Sequence, residues 1–216
     1  MSTAGSVPPK PLAERLVLEA VEIVRTSGPD SLSLREVQRR AGVSPAAAYR
    51  HFRDRAALLL AVAQKSAGLL ADHIAAAIAV VPASGAGAVT ARARLLAGCE
   101  GYIAFAVENP GLYRAIFFSD EQIEDLVAPS EWARNSAGDG GYNLLVAAVQ
   151  DVVISTNGSQ PDDWDPLVIW SACHGLAMLR LDAALRSLSN EGFIQARDRV
   201  LTTITMAVPL TTVPER

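Results

Sequence analysis

Tyr49, Arg50, His51, Arg53 and Arg55 fall within one short stretch, and each carries a hydrogen-bond donor. Donors and positive charge gathered in this way suit the phosphate oxygens of a nucleic acid. Nothing comparable points to catalysis. Of the three histidines, His51 lies in that donor-rich stretch, and His73 and His174 have no carboxylate or cysteine at metal-ligand spacing. Cys173 and His174 are adjacent, so on a helix they point roughly 100° apart and cannot act as nucleophile and base. The glycines Gly138, Gly140 and Gly141 are not followed by Lys-Ser/Thr, so they make no phosphate loop, and no Gly-x-Ser-x-Gly or paired-carboxylate pattern occurs. The residues call for no enzyme, no metal and no cofactor.

The donors need elements to aim them, and the flanking residues supply these. Ser33 is a good helix N-cap with Glu36 at capping-box spacing. Leu34, Val37 and Ala41 follow at i, i+3 and i+7, and Gly42 stops that helix by accepting the left-handed conformation. Ser44 can cap the next helix, with Pro45 at its first position, where a missing N–H costs nothing. Ala48 and Phe52 give that helix a buried edge. Two short helices around a glycine turn make a helix-turn-helix unit, whose second helix would enter the DNA major groove. The alternatives are a small helical bundle that happens to carry arginines, or a non-catalytic helical protein-interaction module; neither explains the capped, basic head as well.

The run Ser33-Leu-Arg-Glu-Val, Ala41-Gly-Val-Ser44, Tyr49-x-His51-Phe52, Arg55 and Leu58 resembles the N-terminal domain of TetR-family transcriptional regulators, over about Leu12 to Leu70. The resemblance implies DNA contacts from Ser33, Arg35, Ser44, Pro45, Ala46, Ala47, Tyr49, Arg50, His51 and Arg55. Two departures stand out. Arg55 replaces the family's usual lysine and is expected still to serve a phosphate. Pro45, Ala46 and Ala47 carry no hydrogen-bonding side chains, so base reading must lean on thymine methyls, on flanking residues such as Arg35, and on DNA shape.

Composition fits such a chain. Of its 216 residues half are hydrophobic and 19% are charged, ample for a core and unlike a disordered protein. The net charge of −4 is unevenly spread: residues 1–72 hold ten Lys/Arg against seven Asp/Glu, and the remainder holds nine against sixteen. A basic head on an acidic body is expected when only one end meets DNA. Cys99 and Cys173 suit a reducing compartment and read as plain buried thiols, although sequence leaves open whether they meet. The polar, proline-bearing start is no signal peptide, and no apolar run reaches membrane-spanning length, so a cytoplasmic protein without a membrane partner is expected.

Taken in order, residues 1–9 read as a disordered arm and 10–54 as the head, with a first helix over about Lys10–Thr26. A long helix over 55–80, capped by Asp54, starts in the head and ends in the body. The body, 81–208, has helices expected over about Ala88–Glu108, Pro110–Phe118, a stretch near Asp120–Ala128, Ser130–Arg134, Tyr142–Ser155, Asp163–Leu188 and Phe193–Val208, and 209–216 is a tail. The fold class is all-α, with about nine helices; Val152-Val-Ile and Leu201-Thr-Thr-Ile-Thr are β-prone locally but sit in helical context.

Tyr102 to Phe117, together with Trp170 and His174-Gly175, resembles a C-terminal domain of one TetR subgroup named for its Trp-His-Gly stretch. This implies a homodimer through the last two long helices, a double-stranded DNA operator as partner, and a small-molecule effector in a pocket. Plausible lining is Cys99, Tyr102, Phe105, Tyr113, Trp132, Tyr142, Trp170 and His174, an apolar wall with a few polar tips. The effector is expected to be largely hydrophobic and the common mode to be repression.

Overall fold

A computed structural model describes residues 10–82, 87–117, 140–157, 164–182 and 184–206. Among them the chain forms nine α-helices and no strand. Helices α1 (Leu12–Ser27), α2 (Leu34–Ala41) and α3 (Pro45–Tyr49) form the head, with a 3-10 turn at Pro29–Ser31 between the first two. Helix α4 (Arg55–Ala79) runs on into the body, made of α5 (Ala88–Glu108), α6 (Pro110–Ile116), α7 (Gly141–Asn157), α8 (Trp164–Asp182) and α9 (Asn190–Met206). The two β-prone runs lie within α7 and α9. The expectations for the arm, for 120–134 and for the tail lie outside the described residues.

Local chemistry starts and stops these helices. Asp54 accepts a hydrogen bond from the Ala57 N–H at 2.8 Å, capping α4. Ser189 accepts from the Gly192 N–H at 3.1 Å and caps α9, which starts at Asn190 rather than at the expected Phe193. Helix α8 also ends at Asp182, well before the expected Leu188. The Arg180 guanidinium explains this: it donates to the carbonyls of Leu185 and Leu188 at 3.0 and 2.9 Å and to Asn190 Oδ1 at 2.8 Å, holding residues 184–188 in a turn.

One core runs through head and body. Leu16, Ala20, Ile23 and Val24 of α1 are buried with Leu34 and Val37 of α2, Ala48 of α3, and Leu58, Leu59 and Val62 of α4. Helix α6 presses its start against the end of α1. A Cβ at Gly111 would stand 2.1 Å from the Val24 carbonyl oxygen, so only glycine fits there. Arg25 Nη1 donates to Asn109 Oδ1 across the same junction at 2.7 Å.

Gly111→Ala should cost about 1–3 kcal/mol, because backbone must move to admit the methyl. Denaturant unfolding of the full chain measures it; an unchanged midpoint would mean that the junction yields freely.

Candidate nucleic-acid interface and internal cavity

The turn between α2 and α3 is built as the residues suggest. Ser33 accepts from the Glu36 N–H at 3.3 Å, and Ser44 accepts from the Ala47 N–H at 3.3 Å. Both hydroxyls keep a proton to donate outward. Gly42 adopts φ 66° and ψ 37°, and the Val43 N–H donates to the Gln38 carbonyl at 3.1 Å, closing α2 with a left-handed cap. Only half of the capping box forms. The Glu36 carboxylate turns instead to Arg39, at 2.7 and 2.8 Å, and to Arg40 at 2.9 Å. These two guanidinium groups hold its pKa down to about 2.

Two cations of the head serve its architecture. Arg15 Nη2 donates to the Ala41 carbonyl at 2.9 Å, at the negative end of the α2 dipole. Arg55 donates to the carbonyls of Leu32 and Pro29 at 3.1 and 2.9 Å. The expectation that Arg55 serves a phosphate therefore gives way to a bracing role, because its fork is turned onto the protein's own backbone. The outward face carries Ser33, Arg35, Ser44, Pro45, Ala46, Tyr49, Arg50 and His51, all exposed, with Ala47 half-buried. Tyr49 is 56% exposed, a large apolar ring left in water. Helix α3 ends at Tyr49, so Arg50 and His51 sit in the turn that follows rather than in the helix itself.

The body encloses a cavity of about 300 Å³. Helix α4 supplies Ala67, Leu70, Ile74 and Ile78; α5 supplies Leu95, Gly98, Cys99 and Tyr102; α7 supplies Tyr142, Leu144, Leu145 and Ala148; α8 supplies Leu167, Trp170 and Cys173. Ile116 and Phe117 close it at the end of α6. Of the expected lining, Cys99, Tyr102, Tyr142 and Trp170 are in the wall. Trp132 lies outside the described residues. Phe105 is buried core, edge-on to the His73 ring at 5.9 Å, and does not line the cavity. Tyr113 and His174 stand behind the wall: their side chains meet at 2.8 Å, Oη to Nδ1, and both reach the Tyr102 hydroxyl, at 3.0 and 3.1 Å. Periodicity placed all of these on buried faces but could not say which face meets the void. The α4 wall was the missed part; its signal was a helix apolar beyond the stripe its neighbours require.

Burial raises the Tyr102 and Tyr113 phenols well above their ordinary value and lowers the His174 imidazole below 6.5, so all three are neutral at pH 7. Cys99 and Cys173 do meet: the Cys173 thiol and burial together push the Cys99 thiol up, and both are free. Among the described residues no group of His, Cys, Asp and Glu could hold a metal ion, and no helix is long and apolar enough to cross a membrane.

With this geometry in place, two family models match. One, for bacterial regulatory proteins of the tetR family, covers residues 16–62; the other, for a tetracyclin repressor-like C-terminal domain, covers 95–203 and so half of the chain. The chain belongs to the TetR family. It is a DNA-binding transcriptional regulator. No curated protein matches significantly. Among solved structures, a Rhodococcus sp. RHA1 protein of unknown function is 27% identical, over 92% of this chain and 97% of that one, with a TM-score of 0.66. A tetR-family transcriptional regulator from Streptomyces coelicolor shares 21% identity over 91% and 81%, at TM-score 0.60. FadR from Bacillus subtilis, solved in complex with stearoyl-CoA, shares 14% over 90% and 98%, at TM-score 0.61, a likeness of fold.

His174 gives a pH signature. The unfolded chain takes up a proton near 6.5 while the folded regulator resists it, so the unfolded state binds more protons and stability falls as pH drops through 6.5. Denaturant melts between about pH 8 and pH 5 should show this decline, and His174→Gln should flatten it. Parallel curves for the two proteins would assign the decline elsewhere.

Proposed function

We propose that this TetR-family regulator is a repressor that grips a palindromic operator as a homodimer and lets go when a small, largely hydrophobic effector fills the cavity of the body. The observation that carries the reading is the double use of α4. Leu58, Leu59 and Val62 at its start are wholly buried in the head, and Ala67, Leu70, Ile74 and Ile78 further along form one wall of the cavity. A ligand that displaces that wall displaces the base of the head. The proposed DNA contacts are Ser33, Arg35, Ser44, Pro45, Ala46, Ala47, Tyr49, Arg50 and His51, with phosphates held by Tyr49, Arg50 and His51 and base edges approached by Arg35 and the small residues of α3. Action on DNA supports a cytoplasmic location. Residues 10–54, with α4 shared, make the reading head, and 81–208 the regulatory body.

The proposed dimer uses α8 and α9. Val168 and Leu179 are 44% and 43% exposed and lie eleven residues apart, close to three whole turns and so on one face. Ala172 and Gly175 fall between them on that face. Glycine inside a helix costs about 1 kcal/mol relative to alanine, and a Cβ at Gly175 would meet nothing within 4 Å of the protomer. Close approach of a second α8 gives that glycine its reason. Ile194, 45% exposed on α9, extends the apolar surface. A twofold pair of heads matches the two half-sites of a palindrome.

Electrophoretic mobility shift with DNA flanking the gene tests the reading at low salt: a shift released by an apolar ligand supports it, and no shift with any segment favours a protein-interaction module. Tyr49→Ala should weaken binding to operator and random duplex alike, by roughly fivefold each, because a phosphate contact carries no sequence information. A loss confined to the operator would give Tyr49 a base-reading role instead. Gly175→Leu should convert the dimer to monomers in sedimentation equilibrium with the protomer still folded; a dimer that survives the substitution is built on another face.

A further inference from the structure

The cavity wall is apolar except for uncharged tips, and one of these tips differs from the rest. Tyr102 Oη, Tyr113 Oη and His174 Nδ1 form a closed triangle with sides of 3.0, 3.1 and 2.8 Å. Only Tyr102 belongs to the cavity wall; the other two stand behind it. Desolvation keeps His174 neutral, so the triangle holds either two protons or three, according to which ring nitrogen carries the hydrogen.

Follow the hydrogens in each case. With Nδ1 bare, the Tyr113 hydroxyl donates to it along the shortest side and the Tyr102 hydroxyl donates to Tyr113. The Tyr102 oxygen, which also accepts from the Trp170 indole N–H, then keeps one lone pair for the cavity, as an acceptor. With the hydrogen on Nδ1, that group donates to Tyr113, Tyr113 donates to Tyr102, and the Tyr102 hydroxyl has its hydrogen free for the cavity, as a donor. The Tyr113–His174 pair thus lets Tyr102 offer either sense of hydrogen bond. No Lys, Arg, Asp or Glu is among the described residues of the wall, so a charged group brought here would lose hydration with nothing of opposite charge among those residues to replace it.

We propose that the effector is an uncharged, mostly apolar molecule ending in a hydroxyl or carbonyl group, and that Tyr102 Oη receives that group while Tyr113 and His174 act as positioning residues. A hydroxyl or carbonyl uses the triangle in the tautomer that suits it; a carboxylate or ammonium does not. The inference rests on the cavity being the effector site, and the test separates the two.

Isothermal titration of the full-length dimer with octanol, octanone, octanoate and octylamine compares four head groups on one chain length, and toluene serves as an apolar probe. Octanol and octanone should bind at least about tenfold more tightly than the two charged probes. Tyr102→Phe should weaken octanol and octanone roughly two- to tenfold while leaving toluene unchanged, which also reports that the cavity is intact. Tyr142→Phe, another phenol on the wall but outside the triangle, should cost octanol and octanone less than Tyr102→Phe does. Octanoate binding as tightly as octanol, an unaltered octanol affinity in Tyr102→Phe, or the loss appearing in Tyr142→Phe instead would overturn the assignment while the cavity stands. If toluene and every octyl probe fail to bind, the effector cavity itself is wrong and the inference falls with it.

Discussion

The contact on which the architecture turns is the one between Gly111 and the carbonyl of Val24, where a single added carbon would come within 2.1 Å of oxygen. It binds the first turn of α6 to the last turn of α1, and Arg25 and Asn109 close the same seam with a charge-assisted hydrogen bond. The far end of α6 holds Ile116, and Phe117 just after it, both in the cavity wall. Arg114, two residues before Ile116, is paired with Asp182 at the end of α8. A helix of seven residues therefore touches the reading head, the cavity and the proposed dimer helix. It is too short to bend, so its two ends move together. With α4 it makes two rigid links between body and head, and two links fix an orientation where one would leave a pivot.

The head shows how a small domain divides its cations. Arg15 and Arg55 are turned onto backbone carbonyls at helix and turn ends, and Arg39 and Arg40 share Glu36. The first two tie α1 and α4 to the end of α2 and to the turn before it, and the last two brace α2 along its own length. The cost is net positive charge available to DNA. Arg35 and Arg50 are exposed on the outward side of that scaffold, beside a helix start of proline and alanines, and the proposed docking leaves shape and methyl contacts to do much of the reading.

The parts of this fold legible in sequence were those decided within one turn of chain. Ser33, Ser44, Asp54 and Gly42 cap what their types and spacing say they should, since a side chain and the N–H three residues on need no other partner. The miss at the end of α8 has the opposite cause: Arg180 reaches five, eight and ten residues ahead, and nothing local distinguishes it from an ordinary surface arginine. Glu36 shows the same limit on a smaller scale, since its carboxylate had a choice between a backbone N–H and two guanidinium groups. Cavity membership was legible only in part. Helical spacing separates buried from exposed, but Tyr102 and Phe105, three residues apart on α5, differ in whether a void or the His73 ring meets them, and that is set by how α4 crosses α5.

On the proposed reading, it is the cavity in the body that lets the molecule switch. Apolar side chains facing a cavity of about 300 Å³ lack packing partners on that side. Any arrangement of α4 and α6 that shrinks the void competes with the one that holds it open. A ligand selects between them only by its difference in affinity for the two, and an apolar molecule that fills the open form alone gains nearly its whole burial energy as that difference. Because α4 carries Ile74 and Ile78 on the void and Leu58 and Leu59 beneath the head, the same displacement that repacks the first pair must carry the second. On the proposed reading, the energy released in one place is delivered to the other through packed side chains.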